Sequence, residues 1–110
     1  MTDVKTIDSK TLQKWLETGI AVSIIDIRPI QDILEWVIPQ SISLNVYDKL
    51  KVNDETAFDT LYIQKNIPVV VVCAGGKLSL TGAEILQKKG FDAYSLNGGI
   101  NQWILVKTQI

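Results

Sequence analysis

Ile67-Pro68-Val69-Val70-Val71-Val72-Cys73-Ala74-Gly75-Gly76-Lys77-Leu78-Ser79-Leu80-Thr81-Gly82 is the stretch whose reading decides the fold. Four consecutive valines after a proline predict a strand buried on both faces, because β-branched side chains suit a packed, pleated surface. The only cysteine of the chain follows at once, then two glycines, a lysine and a serine, after which the apolar spacing turns helical. A strand that stops at a cysteine and reopens as a helix leaves a short loop whose N–H groups can converge on one point. The helix N-terminus adds partial positive charge at the same point. Residues 73–79 are therefore the expected site, suited to an anion or a thiolate.

Outward from this stretch, strands and helices are expected to alternate. Val4 to Ile7 predicts a short first strand. Asp8 or Ser9 caps a helix carrying Leu12, Trp15 and Leu16 at helical spacing up to Gly19. Ala21 to Asp26 is a second buried strand ending in a carboxylate. Pro29 opens a helix to about Trp36 with Ile30, Ile33 and Leu34 on one face; Pro39 ends it, and Ser41 to Asn45 alternates like a strand. Asn53-Asp54 opens another helix, with Phe58, Leu61 and Tyr62 on its apolar face and Asn66 near its end. Ser79 to Lys89 is helical, with Leu80, Ala83, Ile85 and Leu86 inward and Gly90 as the stop. Phe91 to Leu96 is the last strand, Asn97-Gly98-Gly99 a turn, and Ile100 to Val106 a closing helix that docks Trp103. No repeat or linker interrupts residues 1–110, which read as a single domain. The alternation predicts an α/β fold, an open and mainly parallel five-stranded sheet with helices on both faces. Ligands of such sheets sit beyond the carboxyl ends of the strands, where Cys73 falls.

Composition narrows the chemistry. Hydrophobic content of 46% with 21% charged residues describes a globular chain, and a net charge of −1 offers no basic footprint for nucleic acid. Met1 to Lys5 lacks the apolar core of a secretory signal, and no run reaches membrane-spanning length. One cysteine rules out an internal disulfide, which is compatible with the cytoplasm. The chain has no histidine, which removes the commonest general base, any Cys-His pair and the most frequent zinc ligand. The expected chemistry needs no metal and no cofactor.

Cys73 is the expected nucleophile. A lone cysteine is more often an inert buried hydrophobe. Here it ends the strand, glycines follow, and a helix begins within six residues. Donors aimed at sulfur favour its thiolate, the reactive form, which an ordinary thiol populates to only a few per cent at neutral pH. Gly75-Gly76 lets successive N–H groups turn inward as an anion nest. Lys77 is either a counter-ion for an anionic substrate or a solvated loop lysine. Ser79 reads as the helix N-cap with a second role as donor to substrate. Asp26 and Arg28 end the second strand on the same edge as Cys73; Arg28 binds a substrate oxyanion or braces the loop through a pair with Asp26. Trp36 is a candidate for exposure near this edge, whereas Gly98-Gly99 and Trp103 read as turn and core.

With these residues in hand, the chain resembles the single-domain rhodanese family of sulfurtransferases. Four stretches carry the resemblance: the strand with Asp26-Ile27-Arg28; Ile38-Pro39 with Ile42; Val69 to Ser79; and Gly90-Phe91 through Leu96-Asn97-Gly98-Gly99-Ile100-Asn101-Gln102-Trp103. The resemblance implies that Cys73 accepts a sulfane sulfur, becomes a persulfide and passes the sulfur to a thiophile. It implies Ala74, Gly75, Gly76, Lys77, Leu78 and Ser79 as the cradle, with Arg28 on the donor and Asp26 as structural support. The partners implied are a small sulfur-donor anion or persulfide, a thiol or cyanide acceptor, and a sulfur-relay protein as a further acceptor. No nucleic acid or membrane is among them.

Loop length argues against the phosphatases and arsenate reductases of related fold, which end their loop with arginine one residue later. Here the sixth residue after Cys73 is Ser79 and the loop has no arginine, so an oxyanion clamp is missing. Ala74 and Leu78 stand where the family often carries arginines, and Val37 and Gln40 replace its usual histidine and glycine around Ile38-Pro39. A persulfide or polysulfide donor with less charge than thiosulfate therefore suits this loop better. The alternative is a catalytically weak binding or sulfur-carrier module of the same fold.

Overall fold

The computed structural model describes residues 3–33 and 37–108. Its strands are β1 (Lys5–Ile7), β2 (Ser23–Asp26), β3 (Ser41–Ser43), β4 (Val69–Val72) and β5 (Ala93–Leu96). Its helices are α1 (Ser9–Glu17), α2 (Tyr47–Lys51), α3 (Leu78–Lys88) and α4 (Gly99–Thr108). The strands form a wholly parallel sheet in the order β1-β5-β4-β2-β3, which puts the valine strand in the middle. The expected five-stranded α/β sheet is thus present. Among the described residues no helix is long and apolar enough to cross a membrane.

Side-chain parity divides the core. Val69 and Val71 face one way with Ile25, Ile27 and Ala93, against Leu50, Phe58, Ala83 and Leu86. Val70 and Val72 face the other way with Ile24 and Leu96, against Leu12, Ile100 and Trp103. Thus α2 and α3 cover one face and α1 and α4 the other, so β4 is apolar at every position because it has no solvent face. Close approach of α3 is built into its sequence. A Cβ on Gly82 would lie 3.0 Å from Val71 Cγ1 and 3.3 Å from Phe58 Cζ. Glycine is the residue that lets helix and strand meet there.

The start of α1 follows its cap, since the Asp8 carboxylate accepts the Thr11 N–H at 2.7 Å. Three expectations need correction. Where a helix is expected from Pro29, the chain forms a single 3-10 turn over Ile30–Asp32, and Ile30 is 68% exposed. Leu34 and Trp36, expected in the same helix, lie outside the described residues. The helix expected from Asn53 is replaced by consecutive turns, in which Ala57, Asp59 and Leu61 N–H groups donate three residues back. Asn53 takes a φ of 56°, and Asp54 accepts both the N–H and the hydroxyl of Thr56 at 2.9 and 2.7 Å. Such local side-chain bonds compete with helix. Phe58 reaches the core as expected, but Tyr62 is 93% exposed, and the helix of this region is α2, earlier in the chain. Third, Leu80 points outward from α3 at 39% exposure, while Gly82, Ala83, Ile85 and Leu86 form the buried face.

Candidate active site

Cys73 follows β4 directly, and strand parity sets its direction. It continues the odd-numbered set of Val69 and Val71, so its sulfur turns toward the start of α3. There the N–H groups of Gly76 and Ser79 donate to Sγ at 3.1 and 3.3 Å. The Ser79 hydroxyl lies 3.3 Å from Sγ as the acceptor of its thiol hydrogen. Cys73 is only 5% exposed, so these donors act on sulfur that water barely reaches.

The expected N-cap, Ser79, lies instead in the first turn of α3. Lys77 holds the cap position, in helical conformation and with no side-chain cap bond. The first N–H groups of a helix have no intrahelical acceptor. That of Ser79 is taken by sulfur, so Cys73 does the work of a cap side chain. The helix dipole then adds to the two amides at one atom. This arrangement serves a sulfur that carries negative charge.

The loop is held from below by the start of α4 and the turn before it. Ile100 and Asn101 N–H groups donate to the carbonyl oxygens of Cys73 and Ala74 at 2.8 and 3.1 Å. Gly99, at φ 59°, packs against those same carbonyls, and a Cβ there would lie 2.5 Å from the Ala74 oxygen. Gly76, at φ 95°, fits under the same turn, where a Cβ would lie 2.9 Å from Gly98 N. The expected turn is present at Asn97 and Gly98, Gly99 is already the first residue of α4, and both glycines also support the loop. A Cβ on Gly75 would meet nothing within 4 Å.

Arg28 and Asp26 lie at the same sheet edge, since Asp26 pairs in register with Val72. Arg28 Nε donates to Asp26 Oδ1 at 3.0 Å and Nη2 to Oδ2 at 2.7 Å, a two-pronged pair with both side chains buried. Nη1 donates to the Asp32 carbonyl oxygen at 3.0 Å and so ties down the 3-10 turn. Of the two roles open to Arg28, this geometry is that of a brace.

A cavity of about 250 Å³ lies beside Cys73, lined by Tyr47, Cys73, Ala74, Gly75, Lys77 and Leu78. Lys77 is exposed at its rim and is the cation among these residues. Two contributors escape a reading of the sequence. Tyr47, the first residue of α2, walls the cavity. Ser95 of β5 is fully buried, and its hydroxyl lies 2.6 Å from that of Ser79. Parity with Ala93 was the available signal for Ser95; Tyr47 had none, because α2 is not legible as a helix.

Comparison with known proteins agrees with this geometry. The model of the rhodanese-like domain matches residues 8–105. The thiosulfate sulfurtransferase GlpE of Pseudomonas savastanoi pv. phaseolicola is 34% identical over 104 residues, covering 94% of this chain and 90% of the relative. YtwF of Bacillus subtilis is 25% identical over 101 residues, covering 92% and 91%. The crystal structure of a rhodanese-like domain protein from Staphylococcus aureus superposes with a TM-score of 0.75 at 29% identity, covering 91% of each chain.

Proposed function

The chain belongs to the family of rhodanese-like domains, and from that premise we propose that it is a sulfurtransferase working through a persulfide on Cys73. The observation that carries this reading is the convergence of two amide N–H groups and one hydroxyl on the sulfur of a cysteine that lines a cavity. Relatives named for sulfur transfer support it.

The reaction divides into two displacements at sulfur. The Cys73 thiolate attacks the sulfane sulfur of the donor; a new S–S bond forms, the donor's S–S bond breaks, and sulfite or a thiolate leaves with the electron pair. Cys73 then carries an outer sulfur anion. A thiophile, cyanide or a thiolate, attacks that outer sulfur, and the Cys73 thiolate leaves. The sulfur returns to its starting state with no net oxidation of the protein. A nucleophile that enters as thiolate needs no general base, in keeping with a chain that has no histidine. The amides of Gly76 and Ser79 stabilise the thiolate as nucleophile and again as leaving group, Lys77 attracts the donor, and the Asp26–Arg28 pair braces the strand end.

Donor class follows from charge. Arg28 is the only arginine of the chain, and its fork is engaged by Asp26. Lys77 alone then meets the donor from the cavity lining, as a point charge without a bidentate fork. A doubly charged thiosulfate is poorly compensated, whereas a persulfide or polysulfide suits the apolar walls of Tyr47, Ala74 and Leu78. A turnover ratio strongly favouring thiosulfate would reject this choice of donor.

Intact mass after incubation with a polysulfide or thiosulfate tests the whole reading. The expected result is a gain of about 32 Da, one sulfur, on wild type and not on Cys73→Ser, removed by cyanide. The loop without arginine also favours a second reading, a binding module that leaves the thiol unused. A folded protein whose accessible thiol gains no sulfur from any donor would select it.

A further inference from the structure

We infer that Ser95 is a positioning residue for Cys73, acting through Ser79, so that the reacting sulfur is served by a reversible pair of buried hydroxyls. This rests on the reading above, in which the sulfur passes between thiol, thiolate and persulfide. Ser95 lies on β5 beside Val71 in register and faces α3, where its hydroxyl meets that of Ser79 at 2.6 Å. Ser79 in turn reaches Cys73 Sγ at 3.3 Å. Both serines have no exposed surface, so water cannot stand in for either partner.

A sulfur that changes protonation makes opposite demands on one hydroxyl. Against the thiol, Ser79 Oγ accepts the S–H and must place its own hydrogen elsewhere; Ser95 Oγ is the acceptor within reach. Against a thiolate, the Ser79 hydrogen turns to sulfur, and its oxygen can accept the hydrogen of Ser95. Only a group that both donates and accepts serves both states. An unmatched buried hydroxyl is costly, which explains a polar side chain on an otherwise apolar strand face. Bonds to a charged acceptor are about twice as strong as neutral ones, and each bond polarises the next. The chain running from Ser95 through Ser79 to sulfur therefore favours the anion more than the reverse chain favours the thiol.

Among the described residues, the ionisable groups at this end of the sheet are Tyr47 of α2, Lys77 at the start of α3, and the pair of Asp26, which ends β2, with Arg28, which follows it. The Ser95 hydroxyl meets that of Ser79, and Ser95→Ala adds or removes no charge, so the charge set stays in place.

The test is the pH profile of Cys73 alkylation by iodoacetamide, measured on wild type, Ser95→Ala, Ser95→Thr, Ser79→Ala and the double alanine variant. Ser95→Ala is expected to move the profile to higher pH, with alkylation at pH 7 about fivefold slower, the equivalent of one net hydrogen bond. Ser95→Thr, which restores the hydroxyl, moves it back. In the Ser79→Ala background the further loss of Ser95 changes nothing, because the path through Ser79 is already gone. An unchanged profile for Ser95→Ala overturns the inference. So does an equal slowing at every pH, or an effect that adds to that of Ser79→Ala. Sulfur loading followed by mass on the same proteins keeps the two readings apart. A wild type that takes no sulfur overturns the transfer reading, and the alkylation profiles still decide the role of Ser95.

Discussion

A Cβ on Gly99 would press into the carbonyl oxygen of Cys73, so the first residue of α4 bears directly on the backbone of Cys73. That carbonyl also accepts the Ile100 N–H at 2.8 Å. The loop is thus held between two helix N-termini, with α3 directed at the sulfur and α4 at the backbone beneath it. Geometry at Sγ depends on both.

Gly99→Ala is expected to cost about 1–3 kcal/mol, because the residue sits at φ 59° and its new methyl has backbone on one side. For a domain of this size the melting temperature falls by roughly 5–15 °C, and sulfur loading falls with it. Gly75→Ala has open space around the methyl and no left-handed φ, so its melting temperature stays at or slightly above that of wild type. Thermal unfolding of both variants checks the contrast. Equal behaviour of the two would remove the proposed support from α4.

Arg28 supplies the second prediction. Arg28→Ala leaves the Asp26 carboxylate buried without its partner, a change that costs roughly 3–5 kcal/mol when a buried pair is broken. Arg28→Met combined with Asp26→Leu removes both charges and recovers most of that loss. Urea unfolding of wild type and the two variants gives the comparison. A stable Arg28→Ala protein with a raised KM for the sulfur donor would assign the guanidinium to substrate instead.

What was legible in the sequence follows from how local each signal is. The valine run, the Asp8 cap and the glycine stop at Gly90 are set by neighbours in the chain, and the structure keeps all three. The 53–66 region shows the opposite case. Phe58, Leu61 and Tyr62 have helical spacing, but the Asp54 side chain captures Thr56 and turns win. The position of Cys73 at the end of β4 was readable; the identity of its partners was only partly so. Ser79 was readable as a polar residue at the helix start, yet its N–H meets a sulfur six residues back rather than its own hydroxyl capping a turn. Ser95 joins the site through β5, where two-residue spacing from Ala93 gives its face but not its partner, and Tyr47 joins through packing of α2, which no spacing along the chain announces.

Asp54 gives a pH dependence with a definite sign. The hydroxyl and then the N–H of Thr56 donate to its carboxylate and hold its pKa below the ordinary value of 3.8. A carboxyl with a depressed native pKa contributes stability above its unfolded pKa and loses it as pH falls through the native one. Thr56→Ala removes the hydroxyl bond, so its deficit relative to wild type is constant near neutrality and shrinks with acid. Urea midpoints compared at pH 7 and at about pH 3 read this directly. A deficit that grows on acidification would reverse the assignment.

Charge at the cavity gives the last prediction, a gain of function. Ala74 is exposed, lines the cavity beside Cys73 and carries no charge. Ala74→Arg places a planar cation where a dianionic donor would enter, with the bidentate fork that Lys77 lacks. If charge compensation is what limits thiosulfate, kcat/KM for thiosulfate rises about tenfold, equivalent to roughly 1.4 kcal/mol in the transition state, and that for a neutral organic polysulfide does not. The gain also shrinks with added salt, since the new charge faces solvent. Lys77→Gln moves the same ratio in the opposite direction. A matched rise for both donors would indicate a change in Cys73 itself, and an unchanged ratio in both variants would show that charge at the cavity does not select the donor.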